Sequence, residues 1–321
     1  MAATDLTQRA EDAVLVRRRP ASLWRDTLGA ILRQRSAVVG LSLLGILLLA
    51  ALLADVLAPY GYAQTLFDVP GAQRLAGPCV HLFGCPPDQP QFLMGIDQNN
   101  RDVFSRVLFG ARVSLQVGIV TVGIAIVAGT LIGSISAYAG GWVDNILMRF
   151  MDVLLAFPAL ILAIFLVTTF DSLNLPVFQD RLFNAMLAIG IVAIPVYARV
   201  MRASVLSVRE REFVMASRAL GESGAGILFR RILPNALTPL IVQGTLGIAT
   251  AILEVAALSF LGIGAQEPTA EWGAMIGQVR NLMFQAPHLV IFPGTALALS
   301  VLGFNLLGDG IRDALDPRLH R

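Results

Sequence analysis

The sequence predicts an all-α membrane protein with six transmembrane helices and both termini in the cytoplasm. Three observations carry this reading. Of 321 residues, 56% are hydrophobic and only 14% charged, whereas soluble domains carry about a quarter charged residues. The apolar residues gather in six runs, and about 20 apolar residues suffice to cross a bilayer. With the N-terminus inside, eighteen arginines fall on inner segments and six on outer ones, the asymmetry of the positive-inside rule.

All 24 basic residues are arginine. The missing lysine excludes a Walker A site, which needs that side chain to reach the β- and γ-phosphates. Any ATP that drives this chain therefore binds to another subunit. The net charge of +2 gives no case for nucleic acid.

Residues 1–35 form a cytoplasmic arm with seven arginines. Within it Trp24, Leu28, Ile31 and Leu32 recur at helical spacing opposite Arg25 and Arg33, the pattern of a helix lying in the membrane interface. A disordered basic arm is the alternative. No cleavable signal peptide is expected, because the first apolar run lies far from the start and no small-residue cleavage site follows it.

The first span occupies 36–58 and ends at Pro59-Tyr60-Gly61. A polar extracytoplasmic loop covers 59–111. A five-helix domain over 112–310 then holds spans from Val113 to Tyr138, Val153 to Phe170, Leu182 to Ala198, Pro234 to Gly264 and Leu289 to Leu307. Pro158 is expected inside its span, since neighbouring helices satisfy the freed carbonyl. Gly308-Asp309-Gly310 reads as a helix stop, and 311–321 as a cytoplasmic tail.

Cys79 and Cys85 are the two cysteines, six apart in the outer loop; on the oxidising side of the membrane they are expected to pair. His81 between them lacks enough companions for a metal site. Asp97, Asn99, Asn100, Arg101 and Asp102 precede Val103, Phe104, Val107 and Leu108, which share one helical face suited to the outer interface before the second span. A short polar side chain there caps that helix. The three histidines are scattered, and no nucleophile–base pair presents itself. No catalytic residue, metal site or cofactor is assigned.

Glu254 is the one acid deep in an apolar run, and an intramembrane carboxylate faces protein, a partner or water. It serves either the transport pathway or a hydrogen bond to a neighbouring helix. The polar interruption 210–226 contains Phe213, Ala216 and Leu220 at helical spacing, flanked by Arg211, Glu212, Met215 and Arg218. This predicts a short amphipathic helix ended by Gly221.

The spacing Glu212-x3-Ala216-Ser217-x3-Gly221, followed by Ile232-Leu233-Pro234, resembles the EAA motif of permeases from bacterial binding-protein-dependent ABC importers. Met94-Gly95-x-Asp97-x3-Arg101-Asp102-Val103-Phe104, Gly140-Gly141-Trp142-Val143-Asp144, Met151-Asp152-Val153-Leu154-Leu155-Ala156-Phe157-Pro158 and Glu271-Trp272-Gly273-Ala274-Met275 are similar to the dipeptide and oligopeptide permeases. Within them the chain resembles the DppC/OppC-like, C-type subunits from about residue 20 onward.

The resemblance implies a type I ABC importer permease fold and a multi-pass protein of the bacterial inner membrane, surrounded by membrane lipid. It also implies a heterodimer with a second permease subunit, two cytoplasmic ATPase subunits that bind the ATP and magnesium, and an extracytoplasmic substrate-binding protein. Glu212, Phe213, Ala216, Ser217, Leu220 and Gly221 then form the helix that docks on an ATPase, with Pro234, Asp97, Arg101 and Asp102 as motif residues. Asn100 stands where glycine is usual and is expected to keep the left-handed turn. The substrate class is peptides. Nickel or glutathione importers of the same family, and a proton-coupled secondary transporter using Glu254, are the alternatives.

Overall fold

The computed structural model describes residue 29 and residues 31–315 other than 88 and 174. Trp24 and Leu28 of the expected interfacial helix, and residues 316–321 of the tail, lie outside the described residues. Among the described residues, nine helices of seven residues or more organise the fold: α1 Arg35–Leu52, α2 Val103–Ala139, α3 Gly141–Ala156, α4 Ala159–Ser172, α5 Arg181–Arg209, α6 Glu212–Ala219, α7 Thr238–Phe260, α8 Trp272–Gln278 and α9 His288–Leu315. A short turn, Ala54–Leu57, extends α1. Among the described residues there are no strands, only the isolated bridges Cys79–Phe92 and Ile96–Asp102.

Helices α1, α2, α5, α7 and α9 are each long and apolar enough to cross a membrane. The remaining span differs from the expectation. α3 and α4 meet at 98°, and the break falls at Phe157 and Pro158, where Phe157 turns extended and Pro158 precedes the first residue of α4. A residue before proline is pushed out of the helical region. Pro195 and Pro293, by contrast, sit inside α5 and α9 without breaking them.

Helix α2 has 37 residues, about 55 Å at 1.5 Å per residue, against a hydrocarbon core of about 30 Å. It therefore begins well before Arg112, within the segment read as loop. Val103 and Val107 are not on a separate interfacial helix; they are its first turns, buried against Trp272, Met275 and Leu289. α5 likewise runs on past Ala198 to Arg209.

Gly308 and Gly310 do not stop the last helix, which continues to Leu315. They are buried points of close helix approach. A Cβ on Gly308 would lie 2.5 Å from Leu246 Cδ2, and one on Gly310 would collide with Ala37 of α1. Small residues let membrane helices approach this closely.

Three apolar clusters fill the bundle. One surrounds Val117, Ile189, Val255 and Leu258. A second joins α1, α2, α7, α8 and α9 through Ala51, Val107, Ile252, Trp272 and Phe304. The third runs down α5 and over the segment after it, through Tyr197, Met201, Val205, Val208, Val214, Ile227 and Ile232. The loop before α2 has its own small core of Leu66, Phe92 and Ile96, and Cys79 and Cys85 are bonded in it with Cα atoms 5.2 Å apart.

Candidate functional site

At one end of the bundle α5 gives way to α6. Arg209 ties the junction down by donating to the Ala137 carbonyl of α2 at 3.0 Å. α6 is eight residues long with Glu212 in its first turn and Arg218 in its last, both signs matched to the helix dipole. Val214 is fully buried and Ser217 is 8% exposed. Ser217, grouped by the sequence with the docking residues, thus faces the chain's own core beside Val214. Glu212, Phe213, Met215, Ala216, Arg218 and Leu220 are exposed, and Leu220 is 88% so.

The helix ends as its glycine requires. Gly221 has φ of 79°, its N–H donates to the Arg218 carbonyl at 3.1 Å, and the Glu222 N–H donates to Ser217 at 3.1 Å. These are the two bonds of a Schellman cap. Ser223 accepts from the Gly226 N–H at 3.2 Å and restarts the helix, while Arg231 pairs with Glu222 at 3.1 Å. Pro234 has no N–H to offer the Arg230 carbonyl, and the backbone widens into a π-helical turn over Ile227–Ile232 just before it.

Beside this site two ion pairs fasten α3 to α5. Arg202 holds Asp144 with both Nε and Nη2, at 2.6 and 2.5 Å, and the Ser136 hydroxyl donates to the same carboxylate. Arg199 holds Asp152 at 2.5 Å. In sequence these arginines register only as charge bias.

The opposite end carries Asp97, Arg101 and Asp102. Asp97 accepts from the backbone N–H groups of Asn99 and Arg101 at 2.8 and 2.9 Å and pairs with the Arg101 guanidinium at 2.8 Å. Arg101 reaches Glu267 at 3.0 Å, and Arg106 bonds the Tyr62 carbonyl at 2.9 Å. Asn100 takes the left-handed conformation with φ of 59°. Asp102 caps α2 by accepting from the Ser105 N–H at 2.7 Å. Burial pushes the Asp102 carboxyl up, against the Ser105 hydrogen bonds that pull it down. Glu271 caps α8 through Gly273 and Ala274 at 2.9 and 2.8 Å, and burial pushes its carboxyl up too. Buried charges are tolerated here because nearly every one is paired or capped. The chemistry of this end is structural: it locks the loop onto α2 and α8.

Glu254 lies between the two ends, on α7, half-buried and lining a cavity of about 260 Å³ between α2, α5, α7 and the bend at Phe157. The expected hydrogen bond to a neighbouring helix is not formed among the described residues.

Comparison with known proteins accords with this arrangement. Residues 129–321 match the family of binding-protein-dependent transport system inner membrane components, and 22–78 match the N-terminal TM domain of oligopeptide transport permease C. The chain is 43% identical to the dipeptide transport system permease protein DppC of Alkalihalophilus pseudofirmus, over 93% of this chain and 91% of that one. It is 39% identical to the glutathione transport system permease protein GsiD of Pectobacterium atrosepticum, over 92% and 91%. In fold it resembles a chain of the inward-facing MetNI methionine ABC transporter, with a TM-score of 0.55 and 18% identity, over 66% of this chain and 97% of that one. The secondary-transporter alternative falls away. The chain belongs to the binding-protein-dependent transport system inner membrane components, and is a multi-pass inner-membrane permease of the ABC importer class.

Proposed function

We propose that this permease subunit imports peptides, forming half of a translocation pathway and taking its drive from ATPase subunits that dock on α6. The N- and C-termini and α6 face the cytoplasm, and the 59–102 loop faces outward toward a substrate-binding protein. ATP and magnesium bind to the two ATPase subunits, a second permease completes the membrane heterodimer, and this chain itself does no catalysis.

One observation carries the docking reading. A helix of eight residues is anchored inward by Val214 and Ser217 while Phe213, Met215, Ala216 and Leu220 stand exposed on its outer side. Beyond the membrane, apolar side chains on a polar helix fit an apolar groove of a partner. Glu212 adds a charge for a basic group at the groove edge, and Gly221 fixes where the helix ends. The peptide reading rests on the 43% identity to a dipeptide permease. Glutathione is the second reading, favoured by the 39% identity to a glutathione permease.

The test combines Glu212→Lys with Ala216→Asp in the reconstituted complex, reading ATP hydrolysed per substrate taken up. We expect that ratio to rise at least about tenfold, the equivalent of about 1.4 kcal/mol of lost coupling. A wild-type ratio in a variant that retains its ATPases would overturn the docking reading.

A further inference from the structure

The cavity at Glu254 contains more than one polar group. Thr121 of α2, Tyr197 of α5, and Gln243, Thr250 and Glu254 of α7 all line it. Among the described residues, none of these five side chains makes a hydrogen bond to another group of the chain. The Thr121 hydroxyl is buried outright and has no partner. The Tyr197 hydroxyl rests against the bare backbone of Gly247. On α7, Gln243, Gly247, Thr250 and Glu254 follow one another at helical spacing, so three polar side chains share one face of an apolar helix, with a bare glycine among them. The rest of the lining is apolar, with Leu154, Phe157 and Val196 among its residues.

Leaving a buried polar group without a partner costs about 1–3 kcal/mol, and a carboxylate at membrane depth costs more. Residues that only held helices together would have spent their hydrogen bonds on one another. These point at a shared space midway along α2 and α5. That space, about 260 Å³, is just below the range of roughly 300–1,000 Å³ for complete small-molecule sites.

From this geometry, and resting on the peptide reading, we propose that Glu254 receives the protonated amino group of the substrate during passage. Gln243, Thr250 and Thr121 exchange hydrogen bonds with its amide groups, and the apolar wall accepts its side chains. No group here reads one side chain over another, so the site recognises an ammonium beside an amide. A peptide and glutathione share that chemistry. A nickel chelate without a free amine does not.

The test is ATP-dependent uptake by the complete complex in proteoliposomes with its binding protein saturated, using labelled Ala-Ala and, separately, glutathione. Uptake is counted per assembled complex, with assembly measured by co-purification. For whichever probe the wild type carries, Glu254→Gln should cut uptake about tenfold, while Glu254→Asp, which keeps the charge, should stay within about threefold (a tenfold change being about 1.4 kcal/mol). A purely structural role predicts the reverse order, because glutamine is the closer match in shape. Wild-type uptake in Glu254→Gln overturns the inference alone. Uptake of neither probe by the wild type overturns the peptide reading and the inference with it. If Glu254→Gln fails to assemble, Thr250→Val decides, since Thr250 is exposed at the cavity mouth. Its uptake should fall about threefold, as for one lost hydrogen bond, and unchanged uptake overturns the inference.

Discussion

Gly221 offers the sharpest test of how α6 is held in place. Its φ of 79° lies in the left-handed region, yet an added Cβ would meet nothing within 4 Å. Gly221→Ala is therefore a conformational perturbation and not a steric one. The left-handed state costs an L-residue about 1–2 kcal/mol, offset by about 0.4–1 kcal/mol from a less flexible unfolded chain. The net loss, about 0.8 kcal/mol at the middle of both ranges and about 1.6 at most, should raise local opening of the cap about fourfold. Hydrogen exchange reads this directly at the amides of Leu220, Gly221 and Glu222, whose N–H groups bond to Ala216, Arg218 and Ser217. Gly221→Asn should lie between glycine and alanine, because asparagine tolerates the left-handed region. Exchange in Gly221→Ala as slow as wild type, or faster exchange in Gly221→Asn than in Gly221→Ala, would refute the capping account.

Other substitutions probe the rest of the frame. Asp144→Ala or Arg202→Ala alone should lower the thermal midpoint more than the double variant does, because each single change strands a partly buried charge; additive losses would count against this. Asn100→Ala should cost about 1 kcal/mol in a denaturation measurement while Asn100→Gly costs nothing. Gly310→Leu overpacks the α1–α9 contact and should cost about 1–3 kcal/mol, part of it restored by Ala37→Gly; no restoration would place the clash elsewhere. Glu271 has a carboxyl pushed above its ordinary 4.5 by burial, so the folded state holds a proton that the unfolded chain releases. Its contribution to stability is full below 4.5 and falls as pH rises through the raised value. The midpoint of the wild type should decline with pH more steeply than that of Glu271→Gln, and parallel curves would contradict the assignment.

The membrane helices were legible from apolar runs alone, because every backbone group in lipid must be satisfied within a helix. Proline was not. Pro158 breaks its span, whereas Pro195 and Pro293 do not, so the residue type by itself does not tell a break from a continuous helix. Glycine misled for a related reason: Gly310 reads as a stop until Ala37 is seen against it. Periodicity placed a short helix before Gly221 and picked out Phe213, Ala216 and Leu220, without revealing that Val214 and Ser217 are the residues buried beneath it. The polar face of α7 was present in the spacing of Gln243, Thr250 and Glu254. It went unread because only the charged member stands out against an apolar run.

The apolar cluster along α5 has a mechanical meaning. Val214, Val208, Val205, Met201 and Tyr197 belong to one continuous packed column, about 16 Å long from Val208 to Tyr197 at 1.5 Å per residue. Its lower end is the buried face of α6 and its upper end is a wall of the polar cavity. Protein interiors are close-packed and scarcely compressible, so the column behaves as a strut. On the docking proposed above, a displacement imposed on α6 arrives at Tyr197, and so at the cavity wall, with little lost on the way.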